Sequence, residues 1–212
     1  MSTNHRGAGA RAGTFTQLKR RDQLVDCAID AIAELGFPRT SVAEVARRAG
    51  VSKGVVTYHF PAKEDLIRAV IADVLASMTE HMMSRMVAAE PARFPERFIA
   101  ADIAAWVEYY RTHSRSVIAL VGIYNSFRDE SGEPNSTLLR ARADEIAAIE
   151  RILKLGQARG TVGPVSAAVV AASVKAVLDD LLTQYAADPN LDIDAYGAEL
   201  TALFERATRP DP

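Results

Sequence analysis

Residues 41–60 read SVAEVARRAGVSKGVVTYHF, and no other stretch limits the fold as tightly. Ser41 and Ser52 are helix-starting residues, because a serine hydroxyl can accept a hydrogen bond from a backbone N–H in the first turn. Glu44 stands three after Ser41, the spacing of a capping box. Gly50 divides the two segments, and glycine takes the backbone angles that a helix stop needs. Two short helices around the turn Ala49-Gly50-Val51 make a helix-turn-helix. Val45, Ala46, Ala49 and Val51 are expected to face a preceding helix. Val56 and Phe60, four apart, complete that small core. Lys53, Gly54, Val55, Thr57, Tyr58 and His59 are left facing out.

A solvent-facing Tyr, Thr and Val on a short helix have no folding role. Hydroxyls and an ammonium can bond phosphate oxygens, and Val methyls can touch a thymine methyl in a major groove. Gly54 would let the free N–H groups of the helix start approach an anion closely. Charge leans the same way. Residues 1–68 hold 11 Lys/Arg against 7 Asp/Glu, a net +4, and residues 69–212 hold 14 against 20, a net −6. A basic front on an acidic body suits a polyanionic partner, although ordinary surface variation gives a difference of this size too.

The rest of the chain reads as helix broken by turn signals. Leu24, Ala28 and Ile32 recur every four residues in a helix expected over 18–35 and stopped by Gly36. Further helices are expected from Thr40 or Ser41 to Gly50, from Ser52 to before Pro61, and from Lys63 towards Pro91. Others follow over 96–113, 115–127, 136–157, 166–186 and 193–207, with Gly, Pro, Asn, Asp or Ser in the breaks. That predicts an all-α fold of nine helices. VIALV at 117–121 has strand composition, but its flanks continue a helical pattern. Residues 1–17, rich in Gly and Ala with Arg6 and Arg11, read as a flexible basic arm. The domains expected are this arm, a helix-turn-helix unit over 18–62 and a helical body over 63–212.

Composition excludes several classes. At 49% hydrophobic and 25% charged, 212 residues can bury a core without staples. One cysteine allows no disulfide framework or Cys-based zinc site within the chain, as in a reducing cytoplasm. No apolar run is long enough for a membrane span, and the start has no secretory pattern.

The string TSVAEVARRAGVSKGVVTYHFPAKEDLI, preceded by LVDCAIDAIAELGF, resembles the DNA-binding domain of the TetR family of bacterial transcriptional regulators. The shared pattern is a helix ending in Gly-aromatic (Gly36-Phe37), a Thr/Ser before the second helix, the AGVSKG core and a Lys and Leu opening the fourth helix. It covers about 50 residues. The chain departs from the family at Val55, Thr57 and Pro61, on or beside the reading helix, which bears on the operator sequence rather than the fold. By position, the resemblance implies DNA contacts from Thr40 and Ser41, from Lys53, Gly54, Val55, Thr57, Tyr58 and His59, and from Lys63. Thr40 and Ser41 also read as caps alone. Tyr58 and His59 also read as partly packed side chains. Arg47 and Arg48 read as a solvated face.

For the body, the resemblance implies a ligand-binding and dimerisation domain. Met and aromatic residues cluster in its middle helices, as in pockets between helices, although plain core packing has the same composition. Met82, Met86, Trp106, Tyr110, Tyr124 and Phe127 are the candidate ligand contacts. The last two helices carry Val169, Val170, Val174, Val177, Leu178, Leu181 and Leu182, and then Tyr196, Leu200, Leu203 and Phe204. They are expected to pair with a second copy in a four-helix bundle, as the resemblance also implies, the alternative being that this surface buries against the rest of its own chain.

His81, Asp102 and His113 have no chelating spacing and read as isolated polar residues, so no metal is expected. No phosphate loop, dinucleotide fingerprint or nucleophile elbow is present, so neither an enzyme nor a cofactor is expected. Cys27 reads as a small buried hydrophobe. The resulting expectation is a homodimeric regulator that binds a palindromic double-stranded operator and is released by a small apolar or amphipathic effector. The alternative is a DNA-binding protein whose body binds another protein.

Overall fold

The computed structural model describes residues 6–127 and 136–210. Among these residues are nine α-helices and no strand. They are α1 (Arg6–Leu35), α2 (Val42–Ala49), α3 (Lys53–His59), α4 (Lys63–Ala89), α5 (Phe98–Thr112), α6 (Ser114–Ser126), α7 (Ser136–Ala158), α8 (Ala167–Ala187) and α9 (Ile193–Ala207). Short 3-10 turns at Phe37–Arg39 and Pro95–Arg97 lead into α2 and α5. VIALV lies inside α6. No helix among the described residues is long and apolar enough to cross a membrane.

The start of α1 differs from the sequence reading. Residues 1–5 of the expected arm lie outside the described residues, and the helix already runs from Arg6. Once a helix is nucleated, each added residue gains a backbone hydrogen bond. Ala8, Ala10, Ala12, Arg6 and Arg11 are strong helix formers, and they outweigh Gly7, Gly9 and Gly13.

The chain divides into two compact units, the first ending at Val74 and the second starting at Leu75. The boundary falls within α4, later than the expected break at 62/63.

In the first unit, Leu24, Ala28 and Ile32 of α1 are buried, as are Val45, Ala46 and Ala49 of α2. Val56, Phe60, Leu66, Ile67 and Val70 close this core, whereas Val51 is half-buried. Cys27 is also only half-buried, less than expected. Burial and then Asp30 and Asp26 raise its pKa, which keeps the thiol protonated.

In the second unit, α8 packs against α5, α6 and α7, and α9 packs on α5. The α5–α9 approach depends on Gly197. A methyl built there would stand 2.7 Å from Cγ2 of Val107. The apolar stripe of α8 is turned inward: Val174, Leu178 and Leu181 are fully buried within their own unit. This corrects the expectation that Leu181 faces a partner, because a helix packed against three others has little apolar surface to spare. The large apolar residues that α8 and α9 expose are Val169 and Leu203, at 63% and 50%.

Candidate DNA-reading face and ligand cavity

The helix-turn-helix is built from its caps. Thr40 is buried, and its hydroxyl donates to the Gly36 carbonyl at 3.0 Å. That hydroxyl serves the turn before α2. Ser41 is exposed and accepts from the Glu44 N–H at 3.2 Å. The Glu44 carboxylate does not complete the capping box. It accepts from Arg47 Nε at 2.9 Å and Arg48 Nε at 2.7 Å. Hydrogen bonds from Arg47 and then Arg48 hold its pKa down at about 2. Arg48 also reaches Glu34 of α1 at 2.9 Å, so it ties α2 to α1 rather than facing a groove.

Gly50 ends α2 at φ 65°, and the Val51 N–H reaches the Ala46 carbonyl at 3.0 Å. This is a Schellman turn, and it aims α3 away from α2. On α3, Val56 and the capping Phe60 point inward. Lys53, Gly54, Thr57 and Tyr58 are exposed, and Val55 and His59 are half-buried. Tyr58 is 71% exposed, and its ring meets His59 edge-on at 5.2 Å. The Thr57 hydroxyl donates back to the Lys53 and Gly54 carbonyls, both at 3.2 Å. A Cβ on Gly54 would touch only Ser52 Oγ, at 3.6 Å, so nothing inside the chain requires glycine there.

Lys63 is half-buried. Its Nζ lies 4.7 Å above the Phe37 ring and 3.5 Å from the Phe37 carbonyl. The ammonium is thus held over the turn that precedes Ser41. The sequence reading missed this restraint, which the Gly36-Phe37 pair could have suggested.

A cavity of about 180 Å³ opens in the second unit among α4, α5, α6, α7 and α8. Leu75, Met78, Leu120, Val121, Leu138 and Leu182 give it an apolar wall. Of the expected ligand contacts, Tyr110 and Tyr124 line it. Tyr110 is buried and donates to the Leu178 carbonyl at 3.3 Å, and burial keeps its hydroxyl protonated well above its usual pKa.

Met82, Met86, Trp106 and Phe127 do not line this cavity. Trp106 is buried behind Lys175, whose Nζ lies 4.6 Å above the indole. Phe127 is buried outside the lining, and Met82 and Met86 lie past Met78 along α4.

Sequence reasoning missed the polar wall. Lys175 is buried with Nζ 2.6 Å from Glu145 Oε2 and 2.8 Å from Asp179 Oδ1. Arg142 Nε donates to Asp179 Oδ2 at 2.8 Å. Asp102, expected to be an isolated polar residue, is buried, and its Oδ2 has no hydrogen-bond partner. Burial raises its carboxyl to about 7, against the opposing pull of Lys175. No group of three or more metal-ligating side chains occurs among the described residues.

The sequence profile described as bacterial regulatory proteins, tetR family, matches residues 24–70. The HTH-type transcriptional regulator BetI of Klebsiella pneumoniae (strain 342) is 39% identical over 61 residues, which are 29% of this chain and 31% of that protein. The chain thus matches under a third of that relative's length. Among solved structures, a TetR transcription regulator from Haloarcula marismortui shares the fold with a TM-score of 0.76. Its identity is 14%, and the match covers 90% of this chain and 98% of that one. NalD, the secondary repressor of the MexAB-OprM multidrug efflux pump in Pseudomonas aeruginosa, aligns at a TM-score of 0.69. It is 21% identical, over 92% of this chain and 98% of its own. The capped helix-turn-helix falls inside the matched segment, so residues 24–70 are similar to the N-terminal domain of the tetR family of bacterial regulatory proteins, and the helical body shares its fold with solved TetR regulators.

Proposed function

We propose that this chain is a sequence-specific DNA-binding regulator of transcription, acting as a homodimeric repressor that a small amphipathic molecule releases from its operator. Its proposed place of work is the cytoplasm, where the chromosome lies, and it performs no catalysis. The carrying observation is α3: its inward residues close the core, and its outward ones are Lys53, Gly54, Thr57 and a largely exposed Tyr58. Ser41, Val55, His59 and Lys63 complete the proposed contact set; Thr40 supports the turn. NalD, with the same fold, is named a repressor, which supports that sign of regulation.

The cavity supports a small-molecule effector over the alternative of a protein-binding body, because an apolar wall carrying a few polar groups is the usual lining of a small-molecule site. Leu75 and Met78, which line it, belong to α4, the helix that opens at Lys63.

Selection of bound sequences from a random DNA pool tests the reading. A palindromic site should emerge. Its affinity should fall about 10³–10⁵-fold between about 50 and 200 mM salt if about 6–10 phosphates are contacted per dimer. No enriched sequence, together with a flat salt response, overturns the assignment.

A further inference from the structure

We propose that the cavity selects a cationic amphiphile, an apolar body carrying an ammonium or amidinium head that docks on Glu145 and Asp179. The proposal rests on the ligand-binding reading above and names the chemical class for that site.

The argument starts from what an incoming molecule meets. The charged groups on the lining are Arg142, Glu145, Lys175 and Asp179. Lys175 presents almost nothing, with its side chain 6% exposed, set against Trp106 and covered by the two carboxylates. Glu145 and Asp179 are 30% and 34% exposed, and Arg142 is 39% exposed. The reachable surface is therefore two carboxylates and one guanidinium, and Nε of that guanidinium already donates to Asp179.

A carboxylate ligand would meet two like charges against one guanidinium, whose Nε is already bonded to Asp179, in a setting of reduced dielectric where repulsion is strong. An ammonium would meet free carboxylate lone pairs, since each ionised carboxylate has about four acceptor sites. Tyr124 stands on the same lining, 47% exposed, and offers an aromatic face to a cation. Leu75, Met78, Leu120 and Leu182 take the hydrocarbon.

The buried layer behind this wall does not oppose that preference. Asp102 of α5 is buried close enough to feel the charges of Lys175 of α8 and Glu145 of α7. Asp102 lacks a hydrogen-bond donor at Oδ2 and burial favours its neutral form, so it adds no cation that would draw an anionic head.

The test uses the full-length protein and three probes with one tail: n-octylamine, n-octanol and n-octanoate. Trp106 fluorescence and the thermal midpoint report binding, since Trp106 is the single tryptophan and Lys175 lies on its face. Octylamine is expected to bind at least about tenfold more tightly than octanol, the scale of one charge-assisted hydrogen bond, and octanoate most weakly. In Glu145→Gln and in Asp179→Asn the amine-to-alcohol ratio should fall at least about fivefold. Because the ratio is taken within each variant, a change in folding cancels. If neither variant folds, the order of the three probes on the wild-type protein decides alone.

Octanoate binding as tightly as octylamine, an unchanged ratio in both variants, or no binding of octylamine overturns the proposal. DNA affinity is measured separately with each probe. If octylamine binds and DNA affinity does not change, the ligand class stands and the release reading fails. If octanoate alone binds and releases DNA, the class fails and the release reading stands.

Discussion

Nζ of Lys175 lies 4.6 Å above the Trp106 ring, with Glu145 Oε2 at 2.6 Å and Asp179 Oδ1 at 2.8 Å on its other sides. A buried ammonium is tolerated only when each donor finds a partner, and here two carboxylates and a π face supply them. Lys175→Met keeps the apolar stem and leaves Glu145 and Asp102 without their cation. A destabilisation of about 2–3 kcal/mol is expected, below the value for a fully buried pair because Glu145 and Asp179 reach solvent through the cavity. Urea denaturation measures it. A gain in stability would show that the ion cluster is a net burden on the fold.

Asp102 makes stability depend on pH. Its folded pKa, about 7, lies above the ordinary aspartate value of 3.8, so the folded state holds the proton more tightly than the unfolded one. A raised acid pKa leaves full stability below about pH 4 and removes it as pH rises towards 7. Between pH 5 and 8 the wild type should lose about 3 kcal/mol from this group. Asp102→Asn, with no proton to lose, should flatten that slope. Parallel slopes for the two proteins would place the titration elsewhere.

Gly54 offers a test of the proposed DNA contact that leaves folding intact. Alanine favours helix by up to about 1 kcal/mol over glycine, and a Cβ at this position meets only Ser52 Oγ at 3.6 Å. Gly54→Ala should therefore melt at the same temperature or higher and bind the selected operator at least about tenfold more weakly. Unchanged operator affinity would remove Gly54 from the contact surface.

The proposed pairing face on α8 and α9 is tested at its exposed residues, Val169 and Leu203, because Leu181 is sealed in its own unit. Sedimentation of Val169→Glu with Leu203→Glu at micromolar concentration should give half the wild-type mass with helical circular dichroism retained. A double variant that sediments like the wild type moves the interface off these helices.

Much of this was legible in the chain because helix ends are written locally. Gly36, Gly50, Ser166 and Asp192 stand where the backbone turns, and Ser166 and Asp192 accept from Val169 and Ala195 N–H groups as a capping residue should. The inward and outward sides of α3 followed from Val56 and Phe60. The cavity did not follow, because its charged residues come from helices far apart in sequence, and each reads alone as a surface charge. One signal was available. Lys175 is the only charge in the run AAVVAASVKAVL that opens α8, and a single cation in an apolar stretch needs buried partners. Of the six aromatic and Met residues singled out, Tyr110 and Tyr124 line the cavity, since aromatic composition does not distinguish a core side from a cavity side.

Gly197 and Val107 share the space of a single methyl group, with 2.7 Å between the position a Cβ would take and Val107 Cγ2. Valine is stiff about its first torsion and cannot turn aside cheaply. The two sites therefore form one coupled position in evolution. A lineage that acquires alanine at 197 must first, or at the same time, shrink residue 107, and either order of steps that leaves both side chains large passes through a less stable ancestor.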